Sequence, residues 1–98
     1  MGEDPEAERL IVAELKVSVV SADRELWSGE ARQIIARTTV GQIGILPGHE
    51  PVLAILAPGE VRVTTLSGTI VTATAEDGFL SVEHDTVTVV ARNAELVA

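Results

Sequence analysis

Cysteine is absent from the 98 residues, which removes disulfides, thiolate metal sites and thiol nucleophiles together. Tyrosine is absent as well, and Trp27 and Phe79 are the only aromatic side chains. The apolar 46% of the chain must therefore pack as Val, Ile, Leu and Ala in thin, interdigitated layers. A free-standing module that grips carbohydrate or another surface presents exposed aromatic platforms, and two aromatics argue against that class. Lysine occurs once, at Lys16 in a strand-like stretch, which excludes a hairpin-tip lysine carrying biotin or lipoate. The longest uncharged apolar run, around 53–59, contains Pro58 and Gly59 and is too short to cross a bilayer. The start of the chain has neither the basic and apolar runs of a secretory signal nor a myristoylation signal, since Glu6 stands where Ser or Thr is needed. Positive charge is scarce: seven bases against 15 acids give −8. Such a chain is repelled by phosphate backbones, so nucleic acid is not an expected partner. The acidity keeps a small domain soluble, and it also complements a basic partner surface.

What is present suits one domain, since a chain of this length buries about 60–65% of its extended surface on folding. Residues 1–13 form an acidic leader, with Glu3, Asp4, Glu6 and Glu8 against Arg9, expected to fray or make a marginal turn. The domain proper is expected over 14–98. Leu15, Val17 and Val19 alternate with Lys16 and Ser18, the period of a half-buried strand. A turn at 21–23 leads to a short strand over 25–28 ending at Gly29. Residues 30–40 read as another strand, although 31–37 also fit a helix. Further strands are expected around 42–46, 52–56, 61–64, 69–75, 79–82 and 86–91. The signals between them are Ala57-Pro58-Gly59, Ser67-Gly68, Glu76-Asp77-Gly78 and His84-Asp85. Many short strands separated by regular turns predict an all-β sandwich or barrel.

No catalytic constellation accompanies that pattern. His49 and His84 are far apart in sequence, each beside one acid, and neighbouring residues on a strand or turn point apart. No zinc, calcium, Walker or dinucleotide spacing occurs, and the glycines at Gly41 and Gly44 lack the helix start of a phosphate cradle. His84 reads as a solvated turn residue. Trp27 reads as the core anchor of a strand end, with a surface contact as the alternative.

The most informative stretch is Gly41-Gln42-Ile43-Gly44-Ile45-Leu46-Pro47-Gly48-His49-Glu50-Pro51. Pro47 and Pro51 fix φ near about −65° and bias Leu46 and Glu50 toward extended geometry. Gly44 and Gly48 supply backbone freedom beside them. A stiff, exposed loop with His49 near its tip is expected, more a docking surface than a lid. At His49 a partner contact and an inert loop histidine both fit.

This block, together with Leu15-Lys16-Val17-Ser18-Val19-Val20-Ser21, Leu26-Trp27-Ser28-Gly29, Pro58-Gly59 and Asp77-Gly78-Phe79-Leu80-Ser81-Val82, resembles the N-terminal β-sandwich of the epsilon subunit family of F-type ATP synthase. The likeness runs from about residue 14 to the end, in the family's order and separations. It implies a ten-stranded sandwich of two five-stranded sheets. It implies a non-catalytic place in the rotating stalk, with the gamma subunit and the c-ring as partners and no cofactor, metal, small-molecule substrate or direct lipid insertion. Ser21, His49 and Ala54 match positions close to gamma. Gln42 matches the residue facing the c-ring, where some relatives carry an acid; its amide is expected to hydrogen-bond a basic ring loop, with the domain's acidity steering the approach. Gly44, Leu46, Pro47, Gly48 and Pro51 are expected to shape the rigid docking loop, and one apolar sheet face to join it in contact with a partner. The setting implied is the cytoplasmic face of a bacterial plasma membrane, in a proton-driven enzyme. The family's inhibitory helical hairpin, with its nucleotide site, has no counterpart in residues up to Ala98.

Overall fold

The computed structural model describes residues 13–22 and 24–97; the leader over 1–12 and the Asp23 position of the first turn lie outside the described residues. Six strands follow one another: β1 (Leu15–Ser21), β2 (Arg24–Thr38), β3 (Gly41–Ile45), β4 (Val52–Thr65), β5 (Ile70–Glu83) and β6 (Thr86–Leu96). No helix occurs among the described residues, so segment 31–37 is strand. The cause is the period of the apolar residues. Leu15, Val17 and Val19 of β1, Val61 and Val63 of β4, and Val87, Val89 and Ala91 of β6 are all buried, and each set recurs at every second position. That spacing puts one face inward on a strand and scatters around a helix.

β1 closes the sheet. It runs parallel to β6, with Val17 opposite Val87 and Val19 opposite Val89, and antiparallel to β2, with Val17 opposite Gly29. The order β1-β6-β5-β4-β2 thus returns to β1, and β3 hangs from β2 as the one described strand with a single neighbour. Closure leaves few unpaired backbone groups for a stray strand to join. Ile34, Ile45, Leu80 and Val82 complete the interior, and Trp27 packs at its margin. Thr38, the one buried polar side chain among the described residues, is satisfied: its hydroxyl donates to the Gly41 carbonyl at 2.6 Å and accepts from the Val40 N–H at 3.2 Å.

The strands are fewer and longer than the turn signals imply. Ala57-Pro58-Gly59 lies inside β4 and Glu76-Asp77-Gly78 inside β5, so neither reverses the chain. The two stretches face each other. Pairing stops at Ile55–Phe79 and resumes in the same phase at Gly59–Ala75. Pro58 has no N–H to give to a ladder, and Asp77 takes a left-handed φ of 64°, so the ladder lapses without ending the strands. Gly78 serves close approach: a Cβ there would fall 1.9 Å from the Val90 carbonyl oxygen. Gly29 likewise ends nothing. β2 continues through it, and the Trp27 ring lies 2.9 Å from where its Cβ would stand. The separate strands over 25–28 and 30–40 are therefore one element. Six continuous strands replace the ten expected, although β2, β4, β5 and β6 each exceed ten residues and halving those four would restore the count.

Two turn readings hold. Gly68, at φ 94°, turns β4 into β5 and donates to the Thr65 carbonyl at 3.0 Å. His84 and Asp85, at φ 50° and 60°, form the two-residue turn between paired Glu83 and Thr86. Two successive positive φ values are the type I′ geometry that matches the twist of a hairpin.

Candidate docking surface

The β3–β4 connection is held as its sequence predicts. The His49 N–H donates to the Leu46 carbonyl at 3.1 Å, and Gly48 sits at φ 90°. With Pro47 at the first central position and a positive-φ glycine at the second, this is a type II turn. Leu46 at its start is 57% exposed. The His49 Nδ1–H donates to the Glu50 carbonyl at 2.7 Å, which fixes the orientation of the ring. A further tether comes from outside the loop, where the Gly48 N–H donates to Asp85 Oδ1 at 2.7 Å. The Asp85 backbone carbonyl also accepts from the Lys16 N–H at 2.8 Å. One aspartate thus joins the loop, the β5–β6 turn and the start of β1. That contact spans 37 positions, and no local pattern in the sequence announces it.

The structure separates the residues matched to partner positions. Lys16, tied to the same turn as the loop, and Ser21 lie at opposite ends of β1, and five residues at the usual strand rise amount to about 17 Å. Ser21 and His49 are half-buried. Ala54, also half-buried, is opposite the fully buried Leu80 and so lies on the inward side of β4. Its neighbours point the other way. Leu53 is 69% exposed, Ile55 57% and Phe79, directly across from Ile55, 38%. Phe79 in turn faces Val90, and Val90 faces Val20, so an apolar strip crosses four strands beginning two residues past the loop. Residues 52–56 are apolar throughout, so which of their two faces is exposed required the sheet.

Gln42 is elsewhere, on β3 opposite Arg37. An open groove of about 360 Å³ is lined there by Ile35, Arg37, Gln42, Gly59, Glu60 and Arg62. Arg62 is tied to Glu60 at 3.2 Å, both exposed. Local charge at Gln42 is thus not that of the acidic whole. Just before β1, a side-chain hydrogen bond with Glu30, with smaller contributions from lost hydration and repulsion by the same carboxylate, raises Glu14 above its ordinary value while Lys16 opposes the shift. Among the described residues no three His, Cys, Asp or Glu side chains gather as a metal site would require.

A family model described as the beta-sandwich domain of the ATP synthase Delta/Epsilon chain matches residues 14–97. An ATP synthase epsilon chain from Micrococcus luteus is 54% identical over 85 residues, covering 87% of this chain and 93% of that one. An epsilon chain from Streptomyces coelicolor is 46% identical over 86 residues, covering 88% and 69%. Among solved structures, a chain of the Euglena gracilis mitochondrial ATP synthase, in an OSCP/F1/c-ring assembly, superposes with a TM-score of 0.80 at 27% identity, over 86% of this chain and 54% of that one. A chain of the Tetrahymena thermophila central stalk and c-ring gives 0.67 at 17% identity, over 83% and 65%, a likeness of fold alone.

Proposed function

The chain belongs to the epsilon-chain family of ATP synthase, and from that premise we propose that it is a non-catalytic subunit of the central stalk, binding the gamma subunit on one face and the c-ring through Gln42. It would couple proton-driven rotation of the ring to ATP synthesis carried out elsewhere in the complex. Its place would be peripheral, at the cytoplasmic face of a bacterial plasma membrane. On this reading the closed sheet is the family's two-layered sandwich, each long strand giving one limb to either layer.

The observation that carries the proposal is the apolar strip of Leu53, Ile55 and Phe79 running out of a loop locked by three hydrogen bonds. A monomer that exposes apolar side chains contiguously beside a fixed loop is prepared for a protein partner. Ser21 at the end of β1, and His49 in the loop tied through Asp85 to the start of β1, suit a contact about as wide as the roughly 800 Å² per partner of a standard interface. Ala54 supports this contact from the inner side of β4. A closed, close-packed sheet resists compression, as an element that transmits torque must.

Hydrogen exchange of the chain, free and saturated with gamma subunit, tests the proposal. The amides of Leu46, Gly48, His49 and Glu50, and those of Leu53, Ile55 and Phe79, should slow severalfold in the complex. Unchanged exchange at both places, with gamma bound, would overturn it.

A further inference from the structure

The surroundings of Gln42 are basic, although the chain as a whole carries −8. Arg37 stands opposite Gln42 across the β2–β3 pair, and Arg62 lies across the β2–β4 pair from Ile35, in the same groove. The groove holds two guanidinium groups and one carboxylate, Glu60, which is engaged by Nε and Nη2 of Arg62 at 3.3 and 3.2 Å. Arg37 makes no ion pair within 4 Å among the described residues.

Its stem is nonetheless seated. A Cβ on Gly59 would lie 3.2 Å from Arg37 Cδ and 3.5 Å from Arg37 Cβ, so the arginine stem packs against the glycine and a side chain there would crowd it. Arg37, although exposed, thereby runs along the groove beside its cross-strand neighbour Gln42. An arginine fork next to a side-chain amide offers several N–H donors in a small area, the pattern that fits a planar carboxylate.

We infer that Arg37, seated on Gly59 and flanked by Gln42, is a docking point for a carboxylate side chain of the partner that meets Gln42. This rests on the reading of Gln42 as the contact to the c-ring. It reverses the sign expected there: the ring loop must present an acid to this groove, whatever basic residues it carries nearby. Arg62 contributes to the field of the groove but is already paired.

The test is binding of the gamma-bound chain to detergent-purified c-ring, titrated at low and physiological ionic strength. Arg37→Gln should weaken binding about tenfold at low salt, and Arg37→Lys should recover part of the loss by restoring charge without the fork. Gly59→Val, which crowds the arginine stem, should act in the same direction as Arg37→Gln. Arg92→Gln, on β6 and paired with Asp77, should change nothing. Unchanged or tighter binding by Arg37→Gln would overturn the carboxylate site while leaving the ring contact standing, because removing a cation that faces a basic loop relieves repulsion. Failure of the unaltered complex to bind the ring would overturn both.

Discussion

Asp85 holds three pieces of chain with one side chain and one carbonyl. Its φ of 60° completes the hairpin turn, its carbonyl takes the Lys16 N–H, and its carboxylate takes the Gly48 N–H. A left-handed φ is tolerated by Gly, Asn and Asp and resisted by other residues, so two substitutions separate the roles. Asp85→Gly keeps the turn and deletes the acceptor. Asp85→Asn keeps both. Loss of an exposed hydrogen bond costs about 1 kcal/mol, which should appear as severalfold faster exchange of the Gly48 amide in Asp85→Gly, with near-native exchange in Asp85→Asn. Equal exchange in both would mean that the loop is held by Pro47, Pro51 and its internal bonds alone. The division between what could be read and what could not is sharp at this scale. The type II turn at 46–49 follows from Pro47 and Gly48, because both constraints are local. Asp85 and Arg37 do not follow, because each acquires its role from a strand distant in sequence.

At the scale of the element, alternation of Val, Ile, Leu and Ala with polar residues identified the buried faces of β1, β4 and β6 correctly, since period two is a property of the strand itself. The ends of strands were misread where glycine and proline stand for something other than a turn. Pro58 and Gly78 lie in the stretch of β4 and β5 where the ladder lapses, and Gly29 makes room for Trp27. In a closed sheet such residues let long strands coil without stopping them. Substitution by alanine distinguishes the uses. Gly78→Ala should destabilise by at least about 3 kcal/mol, the upper end for overpacking, because the new Cβ meets the Val90 carbonyl at 1.9 Å and backbone cannot step aside. Gly44→Ala, with nothing within 4 Å of the added atom, should be neutral or slightly stabilising. Thermal or urea melts of the two variants check this. Similar small effects would show that β5 and β6 can part at Gly78.

For the whole molecule, the question is how an acidic chain of 98 residues without cysteine keeps apolar side chains on its outside. Its interior is built from Leu15, Ile34, Ile45, Leu80 and the valines packed among them, inside a closed ring of strands. Leu53 and Ile55 are consequently not spare core. They project from the opposite face of β4 to Leu56, which is buried. Stability and docking are thereby assigned to different sides of the same strand, and they should respond separately to substitution. Leu53→Lys and Ile55→Lys each place charge where side chains are already more than half exposed, so each should shift unfolding free energy by no more than about 0.5 kcal/mol, as surface changes do. Binding to gamma should fall at least tenfold for each, since a charge buried in an apolar contact without a partner is costly. Leu80→Ala, next to Phe79 but facing inward, should do the converse: about 2–5 kcal/mol of stability lost, with affinity of the still-folded fraction retained. Calorimetry of unfolding and of gamma binding on the three variants decides the matter. If the lysine variants bind gamma as the unaltered chain does, the strip is not the contact face; if they unfold instead, the two sides of β4 are not independent.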